Sequence, residues 1–126
     1  MKLNTLFTIT AVVSLAYAIG LLLLPATLLT MYGVTSGPGE QLMTQLFGVE
    51  LLAVGLVAWF ARNVTDSSAR RAILLAFLIS QVIGVVVTLM GTLSGGFNAV
   101  GWSAVAIYLL LGLGSAYFQF MKPSGT

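Results

Sequence analysis

Apolar positions along this chain fall into four long runs, at about residues 3–24, 42–61, 72–93 and 99–120. Each approaches the roughly 20 residues, at about 1.5 Å of rise apiece, that a helix needs to cross a hydrocarbon layer about 30 Å thick. Four membrane-spanning helices are therefore predicted, forming a single transmembrane domain over residues 1–126. The segments between the runs are about 17, 10 and 5 residues long, which is too little chain for a water-soluble catalytic domain.

The first connection opens at Pro25, which cannot easily continue a helix interior, and its "ATLLTMYG" reads as a short helical turn at the membrane interface. "TSGPGEQ" then opens the second span, with Glu40 in a first turn that favours negative charge. Asp66, Ser67 and Ser68 are candidate N-caps for the third span, and "SGGFNAVGW" is a tight hairpin with Asn98 as a candidate cap. Ala16-Tyr17-Ala18 has the small-x-small form of a signal cleavage site, yet the apolar run continues to Leu24, so an uncleaved first helix is expected.

Burial of apolar surface does not draw helices together in lipid, so the spacing of small and polar residues carries the packing information. They recur at alternating intervals of three and four. The rows are Thr10, Ser14, Tyr17 on the first span and Gln41, Gln45, Gly48, Leu52, Gly55, Trp59 on the second. On the third and fourth they are Gln81, Gly84, Thr88, Gly91 and Gly101, Val105, Tyr108, Gly112, Ser115, Gln119. This period matches left-handed packing at a crossing angle near +20°. An all-α, up-down, left-handed four-helix bundle is predicted, with Gly48, Gly55, Gly84, Gly91 and Gly112 at the helix contacts.

Composition strengthens the membrane assignment: 59% of residues are hydrophobic, 6% are charged, and the mean hydropathy is +1.07. The basic residues are Lys2, Arg62, Arg70, Arg71 and Lys122. All fall on one side of a four-span chain, so the positive-inside rule predicts both termini in the cytoplasm and residence in a bacterial inner membrane. Arg62, Arg70 and Arg71 are expected to reach the phosphate layer on their long stems, and Trp59 and Trp102 to anchor the two interfaces. The small positive net charge is accounted for by topology, and no nucleic-acid partner is expected.

The chain has no Cys and no His. Thiolate chemistry, ordinary zinc sites and His-ligated haem are excluded, and the scattered Met residues read as packing. No metal or cofactor is expected, nor catalysis by the protein's own side chains, since no nucleophile and base pair is visible.

Two features stand out as candidate chemistry. Ser14, Tyr17, Gln81 and Tyr108 fall at similar depth, as either a hydrogen-bonded core cluster or a small polar pocket. Glu50 lies at that depth too, but at 100° per residue it projects roughly 160° away from Gly48. It shares its face with Met43, Leu46, Val54 and Val57, and no Lys or Arg is available at its depth. Hydrocarbon surroundings disfavour a carboxylate, so a neutral, hydrogen-bonding acid is expected. Glu50 then belongs to a rotated helix, to a contact with a second copy or another membrane subunit, or to a lipid-facing or water-filled groove.

The run "GVELLAVGLVAWFARN", with Gly48, Glu50, Leu51, Gly55, Trp59 and Arg62, followed by "SSARRAILL" and "SGGFNAVGW", resembles a set of small bacterial four-helix membrane proteins. More distantly, its Gly-x-Glu-Leu, Gly-Leu and inner-side Arg resemble DoxX-type proteins. The resemblance implies a small subunit of a membrane oxidoreductase assembly, with Glu50 and Arg62 as the positions carried over.

The function expected from the sequence is thus a non-catalytic subunit or modulator of a membrane assembly, or a homo-oligomer formed through the second helix. Two alternatives stand beside it. One is a proton-coupled transporter using Glu50, similar in size and span count to small multidrug-resistance proteins, which carry their acid in the first helix. The other is a protein that binds a quinone or lipid, with Tyr17, Gln81 and Tyr108 orienting an apolar small molecule.

Overall fold

The computed structural model describes residues 2–121, so Met1 and the basic Lys122 lie outside the described residues. The regular structure of the described residues is all helix. Its elements are α1 (Leu3–Leu23), α2 (Pro25–Met31), α3 (Pro38–Ala61), α4 (Ser67–Leu93) and α5 (Gly101–Ala116), the last extended by a π-helical turn at Tyr117–Met121. Four helices are long and apolar enough to cross a membrane: α1, α3, α4, and α5 with its π-helical turn.

Capping chemistry moves the helix starts from where hydropathy puts them. α3 begins at Pro38, not near residue 42, because proline suits the first helical position; the Glu40 carboxylate then accepts a bond from the Gly37 N–H at 2.8 Å. α4 begins at Ser67, five residues before its apolar run, because the Asp66 side chain accepts from the Ser68 N–H at 3.0 Å. α5 begins two residues later than expected, at Gly101, after Asn98 Oδ1 accepts from the Val100 N–H at 2.9 Å.

The spans associate as two pairs. α1 packs along α3, and α4 along α5. Gly48 and Gly55 carry the first pair: a Cβ at Gly48 would lie 3.0 Å from Leu21 Cβ, and one at Gly55 would lie 2.7 Å from Leu15 Cδ2. Gln45 adds a bond from its Nε2 to the Leu22 carbonyl at 3.1 Å. Toward its C-terminal end α3 turns Ala58 and Ala61 inward, and Trp59 is exposed instead of continuing the buried row.

In the second pair, Gly84 admits the Tyr108 ring, whose Cδ1 would stand 2.5 Å from a Cβ there. Two other glycines act differently from the sequence expectation. Gly91 faces Phe97 of the connecting loop at 3.3 Å rather than a neighbouring helix, and Gly112 leaves ordinary contact distance, 3.6 Å, to Gln81. Gly114, absent from the expected rows, is closer: a Cβ there would meet Leu6 Cδ1 at 2.9 Å.

The pairs join at the end that holds the α1 N-terminus. Leu3, Leu6, Phe7 and Ala11 cluster there with Ala58, Ala61, Leu74, Phe77 and Phe118. Phe7 and Phe77 meet edge to face at 6.0 Å. Just beyond this core, Arg70 Nη2 donates to Asn4 Oδ1 at 2.6 Å, tying the start of α4 to the start of α1. The four described basic residues, Lys2, Arg62, Arg70 and Arg71, all belong to this end.

Candidate functional site

At the opposite end the two pairs separate around a cavity of about 570 Å³. Its walls come from Val13, Ser14, Tyr17 and Leu21 of α1, from one edge of α3, and from α4 and α5 residues between Ser80 and Leu111. Leu28, Leu29 and Tyr32 close it from above. Phe47, Ile83 and Val87 line it and are also exposed, so the space opens sideways between α3 and α4, where the pairs barely touch. In a bilayer that opening faces the acyl chains.

The roof is built by a turn and a clasp. Gly33 turns the chain just after α2 with φ +78°, a backbone conformation that side chains disfavour. Asn98 then binds both sides of Tyr32: its N–H donates to the Tyr32 carbonyl at 2.9 Å and its Nδ2 to the Met31 carbonyl at 3.2 Å. Tyr32 packs edge to face on Phe97 at 5.2 Å. The loop between α4 and α5 therefore holds α2 across the top of the space.

Most of the lining is hydrocarbon, and its polar groups are hydroxyls. Thr44, Ser80 and Thr88 spend theirs on carbonyls of their own helices, at 2.8, 3.0 and 2.7 Å. Tyr17 Oη and Tyr32 Oη share a bond at 3.1 Å, leaving further capacity on each oxygen. The hydroxyls of Ser14 and Tyr108 make no hydrogen bond among the described residues. Four hydroxyls, from Ser14, Tyr17, Tyr32 and Tyr108, can thus meet oxygen atoms of an otherwise apolar guest.

Of the two alternatives its depth left open, Gln81 takes the core one. It is buried between α4 and α5, 2.7 Å from Ser115 Oγ. With its amide nitrogen turned inward it also reaches the Phe77 and Leu111 carbonyls at 3.2 and 3.1 Å, which satisfies the amide within the helix pair. Its place is structural. Tyr32 takes the position expected of Gln81 at the cavity; the only hint in the sequence is an amphipathic Tyr beside a glycine in "TMYG".

Glu50 stands outside the lining. It is exposed near the middle of α3, on the side turned away from Gly48 and Gly55, and makes no hydrogen bond among the described residues. Met43, its neighbour two turns earlier and about 20° away around the helix, is at the cavity edge. Arg62 stacks on Trp59, its Cζ 3.9 Å from the ring centroid. Arg71 is exposed, and Trp102 is exposed at the start of α5, at the cavity end. Comparison with protein-family profiles, curated protein sequences and solved structures gives no match for this chain.

Proposed function

We propose that this protein holds an apolar molecule bearing carbonyl or hydroxyl oxygens, of the quinone or acyl-lipid class, inside an up-down, left-handed four-helix bundle. The observation that carries this reading is the cavity. Its volume of about 570 Å³ lies within the roughly 300–1,000 Å³ of small-molecule sites. An apolar wall with a few uncommitted hydroxyls suits a guest with a long hydrocarbon part and few polar atoms. Entry between α3 and α4 lets the guest arrive from the bilayer without passing through water.

In this reading the protein binds and presents its guest without converting it, and serves a neighbouring membrane enzyme in the way the DoxX resemblance implies. Collection of the described basic residues at one end supports placing that end, with both termini, in the cytoplasm. Proton-coupled transport through Glu50 has less support, because that carboxyl lies off the cavity wall.

The test is native mass spectrometry of the full chain, gently extracted from its own membrane, beside an Ala104→Phe variant. Ala104 lines the cavity, and a ring there projects into the space a guest would need. The wild-type chain is expected to carry one apolar molecule and the variant none. Equal loading of both, or a wild-type chain that carries nothing, would overturn the assignment.

A further inference from the structure

α3 has two opposite seams of the same period. One is the row through Gly48 and Gly55 that α1 fills. The other consists of Met43, Leu46, Glu50, Ala53, Val57 and Phe60, spaced 3, 4, 3, 4 and 3 residues apart. This is the interval of left-handed helix packing, yet every member is exposed: Met43 67%, Leu46 52%, Val57 45% and Phe60 67%, with Glu50 and Ala53 exposed as well. Lipid covers the hydrocarbon members adequately. It cannot cover Glu50, which lies 12 residues from Pro38 and 11 from Ala61 and so sits near half depth in a spanning helix.

The described residues offer that carboxyl no partner. The nearest cation along α3, Arg62, is 12 residues away, about 18 Å along the axis, and Lys2, Arg70 and Arg71 lie at the same end of the molecule. A polar group left unpaired in hydrocarbon is costly, so the partner must come from another molecule. A foreign subunit meets this need only if it carries a donor at half depth. A second copy in the same membrane orientation always does, because a two-fold axis along the membrane normal brings each seam residue opposite itself at its own depth.

We propose that this seam is the contact between two copies of the chain, with the two Glu50 carboxyls hydrogen-bonded to each other at the axis. A carboxylic acid has one O–H to give and an oxygen to accept, so a facing pair of them satisfies both. Ala53, one turn on, lets the backbones approach beside the acids. A single polar layer in an apolar seam also fixes register, since any slip separates the two acids. The contact does not depend on the cavity reading: it uses the opposite side of α3 from α1 and meets the cavity only at Met43.

The chain has no cysteine, so single-cysteine variants can map the contact in native membranes. Ala53→Cys and Val57→Cys are expected to form disulfide-linked dimers under mild oxidation. Val82→Cys, exposed on α4, serves as the control. In vesicles at low protein-to-lipid ratio, Glu50→Gln, which keeps a donor and an acceptor, is expected to retain the dimer. Glu50→Leu is expected to lower its association constant about tenfold. Failure of both seam cysteines to exceed Val82→Cys, capture of a different protein at position 53, or an unchanged dimer in Glu50→Leu would each overturn the proposal. Copy number is read separately from bound small molecules, so failure here leaves the cavity assignment standing.

Discussion

The two ends of the molecule solve the problem of joining helix pairs in opposite ways. At the basic end, Phe7, Phe77 and Phe118 interlock with small residues and the pairs close completely. At the other end, tyrosines and branched aliphatics face one another across a void, and α2 spans the gap by way of Asn98. Both ends are built from the same four apolar spans. The difference lies in packing, which in lipid is a main source of helix attraction: one end spends its contacts on closure, and the other leaves a cavity.

Substitutions that remove contacts should therefore separate the two ends. Phe77→Ala is expected to have the largest effect, a loss of about 3 kcal/mol, measured by unfolding the reconstituted protein. Gly55→Val should cost about 2 kcal/mol by pushing α3 from α1 at Leu15, and a cysteine cross-link between those helices should weaken with it. Asn98→Ala removes the bond to Met31 and the cap at Val100, for about 1 kcal/mol, and faster hydrogen exchange should be confined to α2 and its neighbouring loop. Val87→Ala, at the cavity wall, should cost less than about 0.5 kcal/mol. A loss at Val87 equal to that at Phe77 would mean that the hollow end is packed after all.

The spans, and the glycine row on α3, were legible in the sequence for a physical reason. A membrane sets a length for helices, and close helix approach selects residues without side chains. Glu50 could be placed off that row by counting alone. The split into pairs was not legible, because every span carries a plausible row and spacing does not say which rows meet. Depth left Gln81 as either a core or a pocket residue, and its amide is consumed by Ser115 and two carbonyls inside one pair, a partnership that depends on helix rotation. Tyr32 was missed because it caps a seven-residue helix, too short for its period to reveal an inner face.

A bundle closed at one end and hollow at the other is also a compressible wedge. Lateral pressure within the bilayer does mechanical work only where there is volume to remove, and here that volume is concentrated in one leaflet. Changes in acyl-chain packing or membrane tension therefore act on the α3–α4 opening while leaving the aromatic end almost untouched. Under the proposed binding function, loading would follow the mechanical state of the leaflet that holds the opening.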